Sequence, residues 1–87
     1  MSAAQQTTDH AVIRRWAESR GGRPAAVRTE GKGGILRIDF GEPEEKLDEI
    51  EWNEFFDVFE QNKLAFLYQE ETGDGDVSRF SKFVARE

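Results

Sequence analysis

The sequence predicts an α+β domain, a small and mostly antiparallel sheet of three or four strands packed against two amphipathic helices. Two segments carry apolar residues at helical spacing, and two short runs rich in Ile, Leu and Phe read as strands. Glycine-rich breaks between the early segments favour hairpin-like connections over long crossovers. The 87 residues suit one domain, with residues 1–7 read as a disordered tail and residues 8–87 as the folded unit. Seven Phe, two Trp and one Tyr give so short a chain the apolar area it needs for a core.

Along the chain, Thr7 or Thr8 is expected to cap a first helix over Asp9–Arg20, where a side-chain oxygen meets an open backbone N–H. Val12, Ile13, Trp16 and Ala17 form its inner face, and Gly21-Gly22 followed by Pro24 ends it. Residues 25–29 fit a strand weakly, and 30–34 read as a hairpin loop. Ile35–Phe40 is a better strand, with Leu36, Ile38 and Phe40 on one face and Arg37 and Asp39 between them. Residues 41–49 read as an acidic connection. A second helix is expected over Glu51–Gln61, with Trp52, Phe55, Phe56 and Phe59 on its apolar face and Asn62 at its end. Leu64–Tyr68 reads as a buried strand, and residues 70–76 as a turn. Phe80, Phe83 and Val84 sit at i, i+3 and i+4, so residues 78–86 lean toward a short helix or an irregular packing segment, over a strand that would set Lys82 between Phe80 and Val84.

The net charge of −6 is unevenly spread: residues 1–40 carry seven basic against four acidic side chains, and residues 41–87 carry five against fourteen. The two halves can attract each other within the fold or present opposite faces to partners. With no cysteine there is neither a disulfide nor thiolate chemistry. That absence, together with an N-terminus lacking a signal-peptide pattern, points to the cytoplasm. No apolar stretch approaches the roughly 18 residues of a membrane span.

The residues capable of chemistry do not assemble into a motif. His10 is the one histidine; beside Asp9 it resembles half of an acid–base pair, but no nucleophile in a recognisable context joins them. Zinc needs several converging ligands, which one His and no Cys do not supply. A calcium loop opening at Asp74 would need Gly where Arg79 stands and Glu where Ala85 stands, leaving Glu70, Glu71, Asp74 and Asp76 as an acidic turn. Gly31-Lys32-Gly33-Gly34 precedes a strand, whereas a phosphate loop precedes a helix. Arg20-Gly21-Gly22-Arg23 is one copy of a unit that RNA-binding tails repeat, and the acidic balance of the chain argues against nucleic acid. The carboxylates of Glu44, Glu45, Asp48, Glu49 and Glu51 lie in a run with no geometry to hold a sugar between two of them. Trp52 and Tyr68 could stack on a ligand, but the position of Trp52 on the apolar helix face favours the core.

Thr8-Asp9-His10, Arg15-Trp16-Ala17-Glu18 and Arg20-Gly21-Gly22-Arg23-Pro24-Ala25 resemble the start of a family of short uncharacterised bacterial proteins. Residues 35–40, Trp52-Asn53-Glu54-Phe55-Phe56, residues 64–69 and Ser78-Arg79-Phe80 continue the resemblance. Members of that family often carry the label 1,4-alpha-glucan branching enzyme. Such an enzyme is built on a (β/α)8 barrel, which alone takes about 200 residues or more, with a carboxylate nucleophile facing a second acid. The resemblance therefore implies a stand-alone small domain and supplies no catalytic residue.

These readings converge on a small non-catalytic protein-interaction or regulatory domain with no cofactor, no metal and another protein as partner. The candidate surfaces are the basic side of the first helix, Arg14, Arg15 and Arg20, and the acidic side of the second, Glu54, Asp57 and Glu60. The alternative is a small-molecule or carbohydrate-binding accessory protein, which would need Trp16, Trp52 or Tyr68 open in a concave site.

Overall fold

A computed structural model describes residues 4–27, 35–41 and 47–86. The elements run β1 (Gln5–Thr7), α1 (His10–Glu18), β2 (Arg23–Val27), β3 (Ile35–Asp39), β4 (Leu47–Glu49), α2 (Trp52–Gln61), β5 (Leu64–Tyr68) and β6 (Ser81–Ala85). The α+β class holds. The strands divide into two antiparallel three-stranded sheets, ordered β1-β5-β6 and β3-β2-β4, and α2 lies against strands of both.

Helix α1 starts one residue later than the sequence suggests, and its cap is Asp9, whose carboxylate accepts from the N–H groups of Ala11 and Val12. Thr7 instead takes the N–H of Asp9 on its hydroxyl, at 3.0 Å. The helix ends as expected: Gly21 adopts φ +73°, open to glycine at no steric cost, and the N–H of Gly22 returns to the carbonyl of Ala17 at 2.8 Å. Gly22 is also a point of closest approach. A Cβ there would stand 2.6 Å from Ile38 Cγ2, 2.8 Å from Phe40 Cε1 and 3.1 Å from the carbonyl oxygen of Ala17. Gly22→Ala is therefore expected to cost about 1–3 kcal/mol, because neither a β-branched Ile nor a backbone oxygen can swing aside. A chemical denaturation midpoint equal to that of the wild type would refute the crowding.

Several sequence expectations are corrected. Gln5–Thr7 is not tail but β1, paired residue for residue with Tyr68, Leu67 and Phe66; residues 1–3 lie outside the described residues. β2 begins two residues earlier than the expected strand and includes Pro24. The carbonyl of Pro24 accepts from Ile50 N–H at 3.1 Å, so its nitrogen also points toward the β4 side and the β2–β3 ladder loses no donor. Leu47–Glu49, read as connection, adds to β2 as β4. The expected loop at 30–34, with its phosphate-loop comparison, lies outside the described residues, as do residues 28, 29 and 42–46. The last segment is strand β6, not helix. A helix would set Phe80 and Phe83 side by side, whereas the strand leaves Phe80 47% exposed and pairs Phe83 with Phe66.

One core serves both sheets and both helices: Ile13, Trp16 and Ala17 of α1, Leu36 of β3, Phe55 and Phe59 of α2, and Phe66 and Tyr68 of β5. Aromatic rings interlock through it mainly edge to face, Trp16 on Phe66 at 5.4 Å and Phe83 against Phe55 at 5.8 Å. None of the described helices is long and apolar enough to cross a membrane.

Candidate functional site

The charged residues that the sequence offered as a partner surface fall into two groups. Arg14, Arg15, Glu54 and Asp57 are exposed, Arg14 pairing with Glu18 one turn on at 3.1 Å. Arg20 and Glu60 are instead tied to distant parts of the domain, the Arg20 side chain buried and Glu60 on the surface. The Arg20 side chain is only 8% exposed. Its guanidinium donates to the carbonyls of Ser78, Glu70 and Trp16 and lies 4.5 Å from the centre of the Trp16 ring. It therefore fastens the connection between β5 and β6 onto the end of α1. No sequence signal separates this arginine from Arg14 or Arg15.

Glu60 joins three elements. It accepts from Arg86 through both carboxylate oxygens, at 3.1 and 3.3 Å, and stands 2.7 Å from His10 Nε2. His10 itself stacks on Phe56 with ring centres 4.1 Å apart, so the lone histidine is a packing element between the helices. The Arg86 hydrogen bonds, and after them the His10 contact, hold the Glu60 carboxyl below its ordinary value. A carboxylate with a depressed folded pKa stabilises the fold above its unfolded pKa and loses that contribution as pH falls through the folded value. Urea titrations should therefore show a falling midpoint as pH drops through the acid range. Glu60→Gln should flatten that slope, and an unchanged slope in the variant would remove Glu60 from the account.

These contacts also show where part of the charge asymmetry goes. Arg20–Glu70 and Arg23–Glu49 each join the basic first half of the chain to the acidic second half.

Of the rings considered for ligand stacking, Trp16 and Tyr68 are buried, and the Trp16 indole N–H donates to the carbonyl of Gln69 at 3.0 Å. Trp52 is half-buried: it packs against the core and edges a groove shared with Glu18, Arg23, Glu49 and Glu54. Among the described residues no three His, Asp or Glu side chains are placed to hold a metal ion.

A different face emerges between the two sheets. A slot of about 360 Å3 runs between β3 and β6, which are outer strands of their respective sheets. Leu36, Ile38, Phe40, Leu47 and Phe83 give it apolar walls, and Arg37, Arg79 and Lys82 line it as cations. Arg79 lies over the Phe40 ring at 5.6 Å. Beside the slot Val77 and Phe80 project into solvent, 65% and 47% exposed. Sequence reasoning missed this face. Its trace in the sequence is the pair Arg79 and Lys82 near the end of an otherwise acidic half. Compared with protein families, curated proteins and solved structures, the chain matches none.

Proposed function

We propose that this chain is a non-catalytic protein-interaction domain whose binding face is the β3–β6 slot with the Val77–Phe80 segment beside it. The observation that carries the reading is the outward setting of Val77 and Phe80 on either side of Arg79. Large apolar side chains next to an arginine are the composition of interface anchors, and an exposed apolar group in a small domain otherwise costs solubility. The non-catalytic part is supported by the use made of the reactive side chains. His10, Glu60 and Arg86 hold the two helices and the end of β6 together. The earlier candidates Arg14, Arg15, Glu54 and Asp57 are a rival surface.

The immobilised protein is expected to retain a partner from lysate whose recovery falls about tenfold or more with Arg79→Glu or Phe80→Ser. Both side chains are surface groups, so stability should change by no more than about 0.5 kcal/mol. Recovery that depends on Arg14 and Arg15 instead would move the interface to α1. No retained protein sensitive to either pair would sink the reading.

The carbohydrate or small-molecule alternative keeps a foothold in Trp52, the half-buried indole among glutamates. Tryptophan fluorescence against a sugar and nucleotide panel should stay flat. A saturable shift lost in Trp52→Phe would transfer the function to that groove.

A further inference from the structure

We infer that the slot between β3 and β6 takes an acidic, extended segment of a partner protein as an added strand, an inference that rests on the interaction reading above.

The hydrogen-bond parity of the two sheets shows what each edge offers. In an antiparallel pair, alternate residues exchange both hydrogen bonds with the neighbouring strand, and the residues between them point the other way. The Pro24 carbonyl faces β4, so Pro24↔Ile38 is a pair that exchanges no hydrogen bonds. Leu36 and Ile38 therefore direct their N–H and C=O groups away from β2, to the outer edge. In the other sheet, Gln69 N–H reaches the carbonyl of Phe80, and Arg86 N–H that of Lys63. Lys82 and Val84 are in phase with those two, so Ser81, Phe83 and Ala85 point their backbone groups outward. Leu36, Ile38, Ser81 and Phe83 all line the slot. Two outer edges thus face one space, and no strand among the described residues pairs with either. Such an edge is a template for another strand.

The side chains select the sequence that would fill it. Leu36, Ile38 and Phe40 lie on one face of β3 and Arg37 on the other; across the slot, Lys82 is exposed while Phe83 turns to the core. An inserted strand would meet apolar groups on its inner side and cations on its outer side. Arg37, Arg79 and Lys82 face one carboxylate in the slot, Asp39, and that carboxylate already accepts from the N–H of Gly41 at 2.7 Å. In a chain of net charge −6, this local cationic excess selects an anionic partner. A nucleic acid would answer the cations but leave the open backbone edges and the apolar walls unmatched. A polypeptide alternating acidic and apolar residues answers all three.

The test uses the intact chain and a fluorescein-labelled peptide of about eight alternating Glu and Val residues, a typical strand length. Saturable, salt-sensitive anisotropy changes are expected. Binding should weaken about tenfold or more for a Lys–Val peptide, for Arg37→Glu/Lys82→Glu protein, and for the Glu–Val peptide N-methylated on alternate amides. Hydrogen exchange on the wild type should slow at the Leu36, Ile38, Ser81 and Phe83 amides, a readout independent of whether any variant folds. Equal binding of the methylated peptide would overturn the added strand, as would oligothymidine binding more tightly than the Glu–Val peptide, or protection elsewhere. If the peptide fails while a lysate partner still depends on Arg79 and Phe80, the interaction domain stands and the strand mode is lost.

Discussion

Phe66→Ala is expected to destabilise the domain by about 3–5 kcal/mol, the usual cost of emptying a buried aromatic site. The ring has no solvent exposure and lies against Trp16, Tyr68 and Phe83 at 5.4, 5.7 and 5.4 Å. Its pairing with Phe83 falls in a position that exchanges no backbone hydrogen bonds, where opposite side chains come closest. Removing it opens a void against α1 and loosens the grip of β6 on β5. Small domains hold a total stability toward the low end of about 5–15 kcal/mol, so the variant should be partly unfolded without denaturant. Urea unfolding followed by tryptophan fluorescence would check this, and a loss under about 1 kcal/mol would mean the core is more compliant than the contacts imply. Phe66→Leu, which keeps most of the volume, should cost less.

The second large effect is expected at Arg20, where sequence alone suggests a harmless surface change. Arg20→Ala would strip donors from the carbonyls of Ser78, Glu70 and Trp16 and remove the cation over the indole. Bonds from a charged donor contribute about 1.5–3 kcal/mol each without adding fully, so a loss of about 3 kcal/mol is expected. Arg20→Lys should recover little, since an ammonium cannot span carbonyls that a planar fork reaches together. The loss should be local at first, with Ser78 and Gly75 amides exchanging faster before global unfolding. An Arg20→Ala protein with wild-type stability would return Arg20 to the surface.

The legible elements were those whose pattern is local. The faces of α1 and α2, the alternation in β3 and the apolar run of β5 are each complete within about ten residues. β1 and β4 are three residues long, with Leu47 their one apolar residue, and they are strands because β5 and β2 offer them an edge. The helical reading of the last segment failed for the same reason: Phe80, Phe83 and Val84 fit a helix by spacing, but five backbone pairings along β5 decide the matter. Pro24, read from the sequence only as the mark of a helix end, fits inside β2 because its nitrogen faces β4. The site was less legible than the fold. Arg20 and Glu60 read like their neighbours on the helix surfaces, and only distant partners, Ser78 and Arg86, distinguish them. Arg37, Arg79 and Lys82 come together through the placement of one sheet beside another.

The position of β5 between β1 and β6 also dictates when its sheet can be finished. The Tyr68 hydroxyl reaches Gln5 across 63 positions of sequence, and the other flank of β5 is made only after the turn at residues 70–77 has been synthesised. During translation α1, β2 and β3 emerge long before the strand that β1 needs, so β1 must wait with its backbone hydrogen-bonded to water. Closing so long a loop before any contact repays it slows folding. The β3-β2-β4 sheet closes within residues 23–49, whereas the β1-β5-β6 sheet, and with it the Phe66 side of the shared core, waits for the last strand.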